Sequence, residues 1–221
     1  MSTRQAFRDV KGTAKSGSKP KIGLGLQGGA AHGAFTWGVL DRLLQEDDLE
    51  FGAITGSSSG AFNTALLAHG LAQGDRELAR QTLRKGWTIL SKKADTQAAR
   101  MGVISPFKSL MIPTIFGPMN FDKMNGSWPN LSHPMHQFYM AAYGQIPHDN
   151  FPNPISETVE ELVDFEAIAN SDLDVFVNAI NGRTGKHVVF GHDALDSSAI
   201  AASANLRYMM PPVVIDGDEY Y

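Results

Sequence analysis

Two short apolar runs, residues 22–26 and 51–54, are each followed by a glycine-rich turn and then by a segment with helical spacing. After the first run, Trp37, Leu40, Leu43 and Leu44 repeat at the helical period between about Gly33 and Gln45, and Glu46-Asp47-Asp48 ends the pattern. After the second, Gly56 to Gly60 forms a tight turn, and residues 61–69 read as a helix buried on most sides. Two strand–helix units this short point to neighbouring parallel strands with covering helices. The chain has 221 residues, of which 43% are hydrophobic. That suits one α/β domain with a sizeable core.

Asp75 is placed to cap a third helix running to about Leu90. From about 94 to 154 prolines, methionines and aromatics interleave without a period. This stretch is expected to be an irregular insertion within the domain. Regular structure resumes at Ser156, with Val159, Leu162 and Val163 on one helical face. Residues 173–180 and 186–190 read as strands joined by a hairpin over 181–185. An alanine-rich helix over 198–206 follows, then a second hairpin around Asp216-Gly217-Asp218. Residues 1–20 are basic, rich in Ser, Gly and Lys, and expected to be a flexible arm preceding a domain over 21–221.

The formal net charge of −4 argues against nucleic acid as a partner, since no global positive field attracts phosphates. The absence of cysteine excludes disulfides, thiolate catalysis and thiolate metal sites. No apolar run is long enough to span a bilayer, and the first residues lack the apolar segment of a secretory signal. The expected location is cytoplasmic; an alternative reading adds peripheral membrane contact through the basic arm or through Phe107, Leu110, Met111, Ile115 and Phe116.

The chemistry centres on Gly56-Ser57-Ser58-Ser59-Gly60. A sharp strand–turn–helix crowds the backbone; flanking glycines relieve the crowding and leave the middle hydroxyl exposed. Only Ser58 is central to this frame. Gln27-Gly28-Gly29-Ala30-Ala31-His32-Gly33 forms the other turn, whose successive N–H groups suit an anion nest. Its client is either a dinucleotide phosphate or the oxyanion of an acyl-transfer intermediate. Dinucleotide binding needs an acidic residue at the end of the second strand, whereas Asp47, Asp48 and Glu50 precede that strand. The serine turn stands there instead, which favours an oxyanion hole with Gly28, Gly29 and Ala30 as donors. No histidine follows a late strand in the order Ser, acid, His, though His192 comes nearest. His32 abuts the nest and is a candidate to orient bound charge. His133 and His136 have i,i+3 spacing but Pro134 between them, so no metal site is expected.

Leu24-Gly25-Leu26-Gln27-Gly28-Gly29-Ala30-Ala31-His32-Gly33, followed by Ile54-Thr55-Gly56-Ser57-Ser58-Ser59-Gly60-Ala61, resembles the patatin-like phospholipase family. Asn153-Pro154, Val163-Asp164-Phe165-Glu166, Asn181-Gly182-Arg183-Thr184-Gly185-Lys186, Ala202-Ser203-Ala204 and Pro212-Val213-Val214-Ile215-Asp216-Gly217-Asp218-Glu219-Tyr220 extend the likeness to the end of the chain. The resemblance implies a three-layer α/β/α sandwich around a mostly parallel sheet. It implies hydrolysis of phospholipid or lysophospholipid esters by a Ser–Asp dyad, with Ser58 as nucleophile and no cofactor. Gly28, Gly29 and Ala30 match the oxyanion-hole glycines, with alanine in third place. His32 stands where many members carry Arg or Lys.

The family aspartate lies in an Asp-Gly-Gly or Asp-Gly-Ala motif. Asp216-Gly217 is similar, but bacterial members carry this stretch as a hairpin upstream of that motif. Asp216 is therefore expected to be a turn residue, and the dyad aspartate to come from a second segment or chain. The 101–151 stretch is then a candidate lid or acyl-chain wall. Alternative readings are a short-chain ester or polyester hydrolase of the same mechanism, a non-catalytic acyl- or anion-binding module, and, more remotely, a nucleotide-binding α/β protein.

Overall fold

The structure, a computed structural model, describes residues 19–100, 153–205 and 210–221. The first apolar run is β1 (Lys21–Leu26) and the second is β2 (Glu50–Gly56). They pair in parallel with each other, and β2 pairs in parallel with β3 (Asp174–Ile180). β4 (His187–Gly191) closes the sheet antiparallel to β3 through the expected hairpin, giving the order β1-β2-β3-β4. The mostly parallel sheet with covering helices is the α/β class anticipated from the sequence, consistent with a three-layer α/β/α sandwich.

Period-two alternation sets the buried face. Leu26 and Ile54 line it with Val175, Val177, Ala179 and Phe190, all buried. Gly23, Gly25 and Thr55 point the other way. α1 (Gly33–Leu43) connects β1 to β2, and α2 (Ser59–Ala72) leads away from β2. α2 is buried almost all round: Phe62, Leu66 and Leu67 are fully covered, as the apolar run over 61–69 requires.

Asp75 caps α3 (Arg76–Arg100) by accepting the N–H of Leu78 at 2.8 Å. This helix runs ten residues beyond the expected end near Leu90. Apolar periodicity fades there, but residues 91–100 contain neither glycine nor proline and continue the helix by propensity. The first residues of the expected insertion over 94–154 are thus helical. Residues 101–152, which hold the proposed lid, and most of the arm over 1–20 lie outside the described residues.

α4 (Pro154–Leu162) starts two residues earlier than expected. Asn153 accepts from the N–H groups of Ile155 and Ser156, and Pro154 occupies the first turn. The short α5 (Phe165–Ala169), capped by Asp164, was not anticipated because five residues carry no measurable period. α6 (Ser197–Ala204) is capped by Asp196, which accepts from Ala199 N at 2.7 Å. It buries Ala199, Ile200, Ala201 and Ala202, the small residues that allow close approach. The last hairpin joins β5 (Val213–Ile215) to β6 (Asp218–Tyr220). Reciprocal bonds between Ile180 and Tyr221, 2.7 and 2.9 Å, fasten it to the end of β3.

Candidate active site

The register of the parallel strands brings the two glycine-rich turns together. Leu26 stands opposite Gly56 and Gly56 opposite Val177, so β1 and β2 end at the same level. The Ser57 N–H donates to the Leu26 carbonyl at 3.2 Å and extends the ladder by one residue. Both turns then leave the sheet side by side at its carboxyl edge, where open α/β sheets place their sites.

Ser58 stands immediately before α2 with φ 55° and ψ −123°. A non-glycine residue in this region is strained, a cost of order 1–3 kcal/mol that persists only where the surroundings enforce it. The surroundings here are close backbones. A Cβ on Gly60 would lie 2.0 Å from the Leu26 carbonyl oxygen, so any side chain there collides with β1. The turn is locked by Gly60 N donating to the Ser57 carbonyl, 2.8 Å, and Phe62 N donating to the Ser58 carbonyl, 3.1 Å. Of the three serines in the motif, Ser59 is buried, while Ser57 and Ser58 are partly accessible. The N-terminus of α2, with its positive dipole end, begins beside Ser58.

The glycine turn packs against this elbow. A Cβ on Gly28 would meet the Ser58 Cβ at 2.9 Å and the Ser57 carbonyl oxygen at 3.2 Å. Gly28, Gly29 and Ala30 are exposed. Gly29 has φ 159° and Ala30 has φ 48°, the latter in the left-handed region. A 3-10 turn, Ala30–His32, leads into α1. His32 closes the turn on Gly29: its backbone N–H and its Nδ1 reach the Gly29 carbonyl at 2.9 and 3.2 Å. The structure therefore assembles Ser58, Gly28, Gly29, Ala30 and His32 at one place.

A buried bracket holds the glycine turn to the elbow helix, and the sequence did not reveal it. Asn63 on α2 is fully buried and donates through Nδ2 to the Gly33 carbonyl at 2.9 Å. Its Oδ1 accepts from Trp87 Nε1 on α3 at 2.8 Å. Nothing in local spacing marks Asn63, since a polar residue inside an apolar helix has no distinguishing period. Ser203 is the second residue missed. Its Oγ, at the end of α6, accepts the Ser58 N–H at 3.0 Å. Asp216 lies elsewhere: with φ 52° it forms, with Gly217, the exposed two-residue turn of β5–β6. His192 begins a 3-10 turn after β4. Among the described residues, no hydrogen bond joins Ser58 Oγ to a carboxylate or an imidazole, and no cluster of three metal-ligating side chains occurs.

A hydroxyl on a strained strand–turn–helix elbow, abutted by a glycine turn, is the arrangement that the family pattern requires, and the family model for patatin-like phospholipase matches residues 24–221. The chain belongs to the patatin-like phospholipase family. This is a family of lipid hydrolases. Among solved structures, the chain is similar to VipD from Legionella pneumophila, with 13% identity and a TM-score of 0.41 over 91% of this chain and 45% of VipD. It is similar also to ExoU in the ExoU–SpcU complex from the type III secretion system of Pseudomonas aeruginosa, with 20% identity and a TM-score of 0.35. That match covers 85% of this chain and 36% of the other. The patatin-like chain thus spans less than half the length of these solved proteins. No curated protein is a significant match. Among the described residues no helix is long and apolar enough to cross a membrane.

Proposed function

We propose that this chain is the acyl-hydrolase unit of a patatin-like enzyme that cleaves phospholipid or lysophospholipid esters through Ser58. The observation that carries this reading is the close approach of Gly28 to Ser58, which sets the exposed Gly28–Ala30 turn against a strained strand–turn–helix elbow. Ser58 Oγ attacks the ester carbonyl and its proton passes to an aspartate outside the described residues. The amides of Gly28, Gly29 and Ala30 hold the tetrahedral oxyanion, with the α2 dipole adding to the field. Collapse of that intermediate expels the alcohol, and water then hydrolyses the acyl-enzyme. Asp216 serves as a turn residue and His32 as a brace for the Gly29 carbonyl. No metal or organic cofactor takes part.

An apolar stripe supports an acyl substrate. Phe35 and Val39 on the first turns of α1 are 78% and 43% exposed, and with Ala34, Gly38, Leu43 and the charged Arg42 they line a shallow groove on the helix that follows the nest. Such a wall suits a long acyl chain better than a short one.

The test is to treat the full-length protein with a fluorophosphonate probe and locate the label by peptide mass. Stoichiometric labelling of Ser58, absent in Ser58→Ala, is expected, with faster hydrolysis of a lysophospholipid than of a short-chain p-nitrophenyl ester. A folded full-length protein that never labels would make the chain an acyl- or anion-binding module instead. A preference for the short ester would retain the mechanism and replace the substrate.

A further inference from the structure

We propose that Ser203 is a positioning residue for the nucleophile: its hydroxyl oxygen holds the Ser58 amide and thereby keeps the elbow in its reactive conformation. This rests on the reading of Ser58 as nucleophile. Three backbone N–H groups next to Ser58 have backbone partners. Ser57 N–H bonds to β1 at Leu26, Gly60 N–H to Ser57, and Phe62 N–H to Ser58. Ser58 itself lies between the end of β2 and the start of α2, with φ 55° and ψ −123°, and belongs to neither element. The partner its N–H finds is Ser203 Oγ, 145 residues away in sequence and 3.0 Å away in space. A partly buried amide left without an acceptor favours a different backbone conformation, so this bond acts directly on the strained dihedral.

Ser203 is suited to the task by its platform. It lies in the last turn of α6, whose start is capped by Asp196 and whose body buries Ala199, Ile200 and Ala202. Serines inside helices commonly donate back to the carbonyl four residues earlier; here the oxygen accepts from a different element. The bond has a second consequence. With its N–H committed to Ser203, Ser58 does not contribute that donor to an oxyanion, and stabilisation falls to the Gly28–Ala30 side of the cleft.

The experiment compares the full-length wild type with Ser203→Ala, Ser203→Cys and Ser203→Thr. It measures the second-order rate of fluorophosphonate labelling, kcat and KM for a lysophospholipid, and the melting temperature. Ser203→Ala is expected to slow labelling and kcat by about 10- to 100-fold, the scale of a small misplacement of a reacting group, with KM changed less than about twofold. Ser203→Cys, which fills the same space with a longer and weaker acceptor, is expected to be slowed similarly, and serves if Ser203→Ala does not fold. Ser203→Thr, which keeps the oxygen, is expected to recover most of the rate. A folded Ser203→Ala or Ser203→Cys protein that labels at the wild-type rate overturns the proposal, as does a folded Ser203→Thr protein as slow as Ser203→Ala. Wild-type protein that does not label at Ser58 overturns the nucleophile itself, and that result is read before any variant is compared.

Discussion

At the scale of single residues, the site depends on how closely the glycine turn approaches the elbow. Gly28 shows this most clearly. Adding one methyl there would bring it to 2.9 Å from the Ser58 Cβ and 3.2 Å from a fixed carbonyl oxygen. Gly28→Ala is therefore expected to push nest and elbow apart and reduce lysophospholipid hydrolysis by about 100-fold or more, the scale of losing one oxyanion donor. Circular dichroism should show the fold retained. Ala30 poses the opposite case. It sits at φ 48°, where a side chain costs about 1–2 kcal/mol. Ala30→Gly removes that strain but adds freedom to the unfolded chain, worth about 0.5–1 kcal/mol, so the urea midpoint should move little or rise slightly. Labelling should be no slower, because the amide remains. Ala30→Val, β-branched in a left-handed position, should lower both stability and labelling rate. At this scale the sequence presented three adjacent serines with only the frame of the motif to choose among them. Burial of Ser59 and the strained dihedrals of Ser58 make the distinction physical.

Between elements, the glycine turn is placed by helix packing. α1 carries the turn at its start, α2 carries Ser58 at its start, and the Asn63 amide ties α2 to both α1 and α3. Phe62 reinforces the joint by an edge-on contact with Trp87, ring centres 5.5 Å apart. Asn63→Leu would leave the Gly33 carbonyl and the Trp87 indole N–H without their partner. Equilibrium urea unfolding should then show a loss of about 2–4 kcal/mol, the sum of two unsatisfied buried groups. A loss below 1 kcal/mol would mean that water or a shift of α1 replaces the bracket. Elements with strong periodicity or clear caps were legible in the chain: α1, α2, the β3–β4 hairpin and the Asp75 cap. The length of α3 was not, because propensity continues a helix after its apolar stripe ends. α5 was not either, because a single turn made by Asp164 capping has no period to read.

Across the whole molecule, folding links the far end of α2 to the segment that follows the undescribed stretch. The Asp164 N–H donates to His69 Nδ1 at 3.1 Å, which requires that nitrogen to be unprotonated. Burial holds the His69 imidazole below its ordinary value of 6.5, and the nearby Asp164 charge opposes this only in part. The folded state thus binds fewer protons at His69 than the unfolded chain does. The stabilisation is complete above about pH 6.5 and is lost as pH falls through the depressed folded value. The urea midpoint of the wild type should therefore drop between pH 7.5 and 5.5 by more than that of His69→Gln, and equal slopes would remove His69 as the cause. Two consecutive strand–turn–helix units, the two later hairpins and the identity of both glycine-rich turns were determined by the chain alone, since local crowding and apolar period act over a few residues. Which serine of the turn is buried, that the Ser58 amide bonds to Ser203, and how Asn63 joins three helices were decided only by the tertiary structure. Those contacts join residues that are distant in sequence, and their energies depend on ångström-level distances that no local pattern encodes.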